Sequence, residues 1–292
     1  MAIANFTGTT ALTNYIDSEW IARQLRVAVE TPFVSEQIVS MVDLSPMSTR
    51  TYAHPILSRM AAAAAYGEGD EFSSTAMATT EQTIAVGMVV KSTFLTPQAQ
   101  GSTVLDSASA AVRNVVDAVR QKIENDTIGL SSSMSNTIGT NAQTFDLDYW
   151  NTSLTTFRAQ AKSPQMAAAV LHPDAVRDLH GDLVTANAAL FGSSFGPPAA
   201  DATGGVRQGA RAVLDGLPIF ETDAVPVADT SGWGNFILEM GNNPAIMMVI
   251  KQAITIKIAE PADALGSWVS SVCDYGVGIV DQSRCLQCVS RT

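Results

Sequence analysis

Charge is what this chain has least of. Only 15% of its 292 residues are Asp, Glu, Lys or Arg, against about 25% in an ordinary soluble domain. Lysine is scarcest: Lys91, Lys122, Lys162, Lys251 and Lys257 are the full set. A hydrated ammonium is costly to bury, and lysine is depleted from protein–protein interfaces. A long chain so poor in charge is expected to cover much of its surface with neighbouring protein. Basic residues are also outnumbered, 17 Lys and Arg against 28 Asp and Glu, for a net charge of −11. Tight nucleic-acid binding displaces counterions with Lys and Arg. An acidic chain is therefore a poor gripper of nucleic acid, though not a poor container for it.

Other absences narrow the class further. No apolar run reaches the ~18 to 20 residues of a membrane-spanning helix. Met1 to Thr10 lacks the basic start and apolar stretch of a signal peptide, so a soluble, cytoplasmic protein is expected. Cysteine is limited to Cys273, Cys285 and Cys288, and an odd number without a secretory signal points to reduced thiols. No G-x-x-x-x-G-K-[ST] occurs, which excludes a P-loop ATPase. No internal repeat of ~20 to 50 residues is visible. What the chain does have is a 46% hydrophobic composition, enough for a sizeable core in one large domain or two modest ones.

Residues 1–50 read as an extended arm with one helix, capped by Asp17 or Ser18 and carrying Trp20, Ile21, Leu25 and Ala28 at apolar spacing. Such an arm has little core of its own. Thr51–Leu57 reads as an outgoing strand, restricted to an edge or a bend by Pro55. Ala61–Ala65 fits helix or strand equally. Gly67-Glu68-Gly69-Asp70 is an acidic turn. Beyond it Ile84, Val86, Met88, Val90 and Phe94 alternate with smaller or polar residues, the period of a strand. These pieces suggest a long two-stranded excursion, and since a lone hairpin is marginally stable in water it is expected to lie on a neighbouring subunit.

The clearest element is Leu105 to Ile128. Ala108, Val112, Val115, Val116, Val119 and Ile123 fall at three- and four-residue spacing. Arg113–Asp117 and Arg120–Glu124 stand as opposite-charge pairs on the other face. Asp106 or Ser107 caps this helix and Gly129 stops it. Ser131 to Thr144 reads as a polar, structureless junction. A helix over Asp146–Ala161, a strand Met166–Leu171, and a helix Ala175–Leu183 opened by His172-Pro173-Asp174 follow. Residues 192–209 read as a long Gly/Pro loop. Short strands come after it: Leu217–Thr222, Asn235–Met240, Ala245–Ile258, and Trp268 to the C-terminus.

The order of these elements resembles the major capsid proteins of tailed bacteriophages, whose α+β fold is the Hong Kong 97-type capsid fold. Asp17-Ser18-Glu19-Trp20 before a helix is similar to the arm of many such proteins. Glu68-Gly69 before an alternating strand ending in Lys91-Ser92-Thr93 looks like the return strand of the E-loop. Val170-Leu171-His172-Pro173 resembles the start of the axial domain. Gly216-Leu217-Pro218-Ile219 with Asp223-Ala224-Val225-Pro226 is similar to the segment that follows it. The resemblance implies an N-terminal arm over 1–50, an E-loop over 51–100, and a peripheral domain with its long spine helix over 101–145. It further implies an axial domain over 146–244 and shared return strands over 245–292.

The function so implied is a self-assembling virion shell, built in the host cytoplasm from hexamers and pentamers around double-stranded DNA. A portal, a decoration protein and a scaffold are the implied partners. Members with a fused scaffolding segment carry about a hundred more N-terminal residues, so a separate scaffold is expected. Some members weld subunits through an isopeptide bond from an E-loop lysine. Gly67 to Gln82 has no lysine, and Lys91 lies about 30 Å or more along the return strand at ~3.3 Å per residue, so a non-covalent shell is expected. An encapsulin-like nanocompartment is the alternative within the fold.

A search for chemistry nominates no catalytic, cofactor-binding or metal-binding residue. Gly192-Ser193-Ser194-Phe195-Gly196 matches G-x-S-x-G, but that elbow needs a strand before it, a helix after it and a later His. Pro197-Pro198 follow it, and His54, His172 and His180 all precede Ser194. A Gly/Ser surface loop fits better than a serine hydrolase. Cys285-Leu286-Gln287-Cys288 lacks the four ligands of a structural zinc site. Alternation places Cys285 and Cys288 on opposite faces of a strand. His172-Pro173-Asp174 reads as a helix cap, and Glu68, Asp70 and Glu71 as a solvated acidic turn.

Overall fold

The computed structural model describes residues 6–7, 33–57, 79–97, 107–161, 166–185, 210–228, 231–241, 243–259 and 265–291. The Asp17–Ala28 helix, the acidic turn and the Gly192–Gly196 motif lie outside the described residues. Fourteen strands are described: β1 (Phe6–Thr7), β2 (Ser40–Asp43), β3 (Thr51–Leu57), β4 (Thr79–Ala85), β5 (Gly87–Leu95), β6 (Thr137–Gly139), β7 (Ala167–Leu171), β8 (Ala210–Leu214), β9 (Leu217–Glu221), β10 (Val227–Ala228), β11 (Gly232–Glu239), β12 (Ile246–Ala259), β13 (Ser267–Ile279) and β14 (Cys285–Arg291). The helices are a single turn α1 (Ser35–Ile38), the long α2 (Ser107–Gly129), α3 (Leu147–Ala161) and α4 (Pro173–Thr185).

These elements form a five-stranded sheet in the order β1-β5-β13-β12-β2, a seven-stranded sheet built on β6-β14-β11-β7-β9-β8 with β10 beside β11, and a separate two-stranded ribbon of β3 and β4. The sheets are called here the body sheet and the large sheet. In the body sheet β12 and β13 form a long antiparallel pair, with β5 on the far side of β13. The large sheet carries α3 and α4 on one face. Trp150, Leu154, Phe157, Val176 and Leu179 pack there on Ala169, Leu171, Ile219, Ile237 and Cys288. Its other face meets the end of the body sheet, where Val170, Phe236 and Leu238 share a cluster with Ile246 and Met248.

Local chemistry sets the ends of the elements. Asp146 caps α3, its Oδ1 accepting the Tyr149 N–H at 2.8 Å, one of the orphan donors that a helix start leaves. Asp215 and Gly216 hold φ of 51° and 80°, the pair of positive values that a two-residue hairpin turn needs, and they join β8 to β9. The Asp215 carboxylate accepts from Trp150 Nε1 at 2.8 Å, which ties that turn to α3.

α2 runs as the spacing predicts. Ala111, Val115 and Val119 are buried against Leu95, Val269, Cys273 and Tyr275 on one face of the body sheet. Its charge pattern differs from the expected one. Glu124 is buried and accepts the backbone N–H groups of Val34 and Ser35 at 2.9 and 2.8 Å, so it caps α1 instead of pairing with Arg120. Arg120 lies over the Phe33 ring, 5.9 Å from its centroid. The ion pair along this helix is Lys122–Asp126.

Four further sequence expectations are corrected. Residues 33–44, read as part of an extended arm that must pack on other structure, do bury Val34, Ile38, Val39 and Leu44, but they also form a strand that was not expected, β2, which pairs in parallel with β12. The Ile84–Phe94 alternation is two strands, interrupted at Val86, whose N–H donates to Arg50 O at 2.8 Å. Only β4 belongs to the ribbon, and β5 runs in the body sheet, so Lys91 lies opposite Ser271 there. Ser131–Thr144 is not structureless, since it holds a 3₁₀ turn over Leu130–Ser133 and strand β6 along the edge of the large sheet. β8 lies where no strand was expected.

Candidate functional site

Three features of the described surface are thinly packed or expose apolar side chains. The first is the ribbon. Tyr52, His54 and Ile56 are half-buried while Thr51, Ala53, Pro55 and Leu57 alternate as exposed residues. In β4 only Ile84, near the root, is buried. At its described end Leu57 is 60% exposed. A two-stranded ribbon with so little packed against it is marginal alone.

The second is the body-sheet face turned away from α2. There β5 presents Met88, 62% exposed, and Val90, in register with Asp274 and Val272 of β13. The third is the end of the β12–β13 pair away from the large sheet. Ile258 is 66% exposed and Leu265 is 87% exposed, with the exposed Ile256 beside them. Single exposed apolar residues are ordinary, but clustered ones mark contact surfaces.

The residues with possible chemistry are placed structurally. Cys285 and Cys288 sit on opposite faces of β14, as their alternation predicts. Cys285 joins the cluster between the sheets and Cys288 the one under α3. Both thiols are pushed up to about 12, by burial first in each case and by Asp281 as well for Cys285. Such thiols are poor nucleophiles and poor metal ligands. Burial also raises the Cys273 thiol. No group of three or more His, Cys, Asp and Glu positioned to hold a metal occurs among the described residues.

His172 stacks on Trp233, ring centroids 3.5 Å apart, and its Nδ1 accepts the Asp174 N–H at 3.2 Å. The imidazole therefore caps α4. Asp174 accepts from Trp233 Nε1 and pairs with Arg177. Burial holds His172 below its ordinary value, against the upward pull of Asp174, Asp223 and Glu221. This is a network knitting α4 to β11. His54 lies on the ribbon, outside the large sheet that carries this network. Sequence reasoning missed Asp274 and Arg50, which meet at the ribbon root 3.6 Å apart. Neither lies in a motif, and their pairing spans most of the chain.

No helix among the described residues is long and apolar enough to cross a membrane. No family model matches the sequence, and no curated protein matches it. Solved structures do match. The chain is similar to the capsid protein of Ralstonia phage GP4, with a TM-score of 0.70 at 10% identity, covering 94% of this chain and 95% of that one. The head protein of Helicobacter pylori bacteriophage KHP40 gives 0.70 at 12% identity and covers 99% of both chains. The SrpI encapsulin of Synechococcus elongatus gives 0.62 at 12% identity, covering 97% of this chain and 95% of that one. The chain has the fold of these shells, the α+β Hong Kong 97-type capsid fold expected from the order of its elements.

Proposed function

We propose that this chain is the major capsid protein of a tailed bacteriophage, a structural protein that assembles into the closed icosahedral shell around double-stranded DNA. The observation that carries the reading is the ribbon: a projecting, thinly packed pair of strands on a fold that recurs in phage heads. Ala53, Pro55 and Leu57 of the ribbon and Met88 and Val90 of the body sheet offer exposed apolar surface for neighbouring copies to bury. In this reading residues 1–50 form the arm, 51–100 the E-loop with the ribbon as its projecting part, and 101–145 the peripheral domain with α2 as spine helix. Residues 146–244 form the axial domain, and 245–292 return through both sheets. The same patches recur in hexamers and pentamers. A scaffold, a portal and a decoration protein are the further partners, and assembly takes place in the host cytoplasm. The role is structural, with no catalytic step.

A second reading, an encapsulin-like compartment around cargo enzymes, is favoured by the SrpI likeness over nearly the whole chain. The contents of purified particles separate the two, DNA for one and protein cargo for the other. Sedimentation velocity tests the assembly that both share. The wild type, alone or with a scaffold, is expected to sediment as particles of hundreds of subunits. Leu57→Asp, at an exposed site, is expected to leave a folded, soluble subunit that does not assemble. A wild type that stays a 30.8 kDa monomer under every condition would refute the proposal.

A further inference from the structure

We infer that the ribbon is a lever hinged on β13, with Ile84 as its pivot and Arg50–Asp274 as a latch that stands half-engaged in this structure. The pivot follows from two glycines. Along β13, Cys273 and Tyr275 face α2, so by alternation Asp274, Gly276 and Gly278 face the ribbon. A Cβ on Gly278 would lie 2.9 Å from Ile84 Cγ1, and one on Gly276 would fall on the Ala85 carbonyl. The missing side chains leave a trough along β13, and Ile84 fills it, 4% exposed. Met247 and Val249 of β12 stand beside the trough, and Leu44, Val86 and Val280 close the small cluster. Beyond Ile84, every residue of β4 out to Thr79 is exposed.

Few polar contacts restrain the root. Lys251 Nζ donates to the carbonyls of Ser48 and Thr49 at 3.2 and 2.7 Å. Arg50, 62% exposed at its side chain, reaches Asp274 Oδ2 only at 3.6 Å, beyond the 2.7 to 2.9 Å of a charge-assisted hydrogen bond. Asp274 is buried, and its Oδ1 has no hydrogen-bond partner among the described residues. An unsatisfied buried carboxylate oxygen is costly. A guanidinium matches both oxygens of a carboxylate at once, so the pair has a better geometry than the one it holds. A small rotation of the ribbon about Ile84 brings Arg50 onto both oxygens and moves the far end much more, since Thr79 lies about 17 Å from Ile84 at ~3.3 Å per residue. The latch thus couples a local ion pair to the direction in which the ribbon leaves the subunit. Its closure is tied to the shell reading only through the assembled samples of the test.

The test places spin labels on Thr79→Cys and on Asn151→Cys, both at exposed positions, while the native cysteines stay buried. In unassembled subunits Gly278→Ala is expected to shift the label distance by roughly 3 Å or more, the root displacement multiplied along the strand. Adding Ile84→Ala makes room for the new methyl and should restore the wild-type distance. An unshifted single variant, or an unrestored double variant, overturns the pivot. For the latch, wild-type shells should show a distance absent from free subunits, and shells of Arg50→Gln, an exposed site, should keep the free-subunit distance. Equal distances in free and assembled wild type overturn the latch. Failure of the wild type to form shells counts against the proposed function, and the pivot is still decided in free subunits.

Discussion

Placing a carboxylate on the buried stripe of α2 gives the sharpest mutational test of the fold. Val115 is 3% exposed, in a cluster with Leu95, Ala111 and Val269. Val115→Asp removes two methyl groups from that contact, worth about 1.5 to 3 kcal/mol by burial. It also places a carboxylate among Leu95, Ala111 and Val269, all apolar, at a cost of several kcal/mol whether the group ionises or shifts its pKa. The combined loss, on the order of 5 kcal/mol, rivals the whole stability of a typical domain. Asn114→Asp adds the same charge one residue earlier on the exposed face, where a change within about 0.5 kcal/mol is expected. Urea unfolding of the two variants, with particle yield from the same preparations, measures the contrast. Val115→Asp should be insoluble or unfolded at low denaturant, and Asn114→Asp should match wild type. Equal midpoints would refute the register of α2 on the body sheet.

Three shorter expectations follow from the same structure. Because the folded state holds His172 below its ordinary 6.5, the unfolded chain binds that proton more readily. Its contribution to stability is complete above pH ~6.5 and is lost as pH falls through the lower folded value; the denaturation midpoint should drop on acidification, and by less in His172→Asn. The three cysteines are buried, so a thiol reagent should modify none of them in native protein and all of them in denaturant, and early modification of Cys285 or Cys288 would contradict their packing. With no lysine between Gly67 and Gln82, boiled particles should run as one band near 30.8 kDa, whereas a ladder surviving reductant would reveal a covalent lock.

α2 was legible because its signal is local. Apolar residues at helical spacing suffice to choose one face, and the body sheet then covers it. Cys285 and Cys288 were legible for the same reason, since alternation along a strand needs no partner to be known. β2 and β6 were not, because each takes its strand character from a distant parallel neighbour, Met247–Ile250 for one and Gln287–Val289 for the other. The join between ribbon and body sheet was hidden differently. The Ile84–Phe94 alternation runs on through Val86, and what divides it is the hydrogen bond to Arg50 O and the glycine trough far along the chain. Glu124 was misread because Arg120 one turn earlier is the ordinary partner. The backbone donors that claim it sit at Val34 and Ser35. Of the candidate surfaces, low charge pointed to contacts with other protein but could not say where. The exposed Met88, Ile258 and Leu265 emerge only once α2 and the two sheets have covered the rest.

Electron cryomicroscopy of particles formed by the expressed chain, with a scaffold where one is needed, addresses the central claim most directly. Self-assembly requires closed shells in which the ribbon of each copy lies on an adjacent subunit and the exposed apolar residues of the body sheet, its β12–β13 end included, are buried at contacts. A wild-type protein found only as separate subunits, or shells in which Leu57, Met88 and Leu265 all remain in solvent, would contradict it.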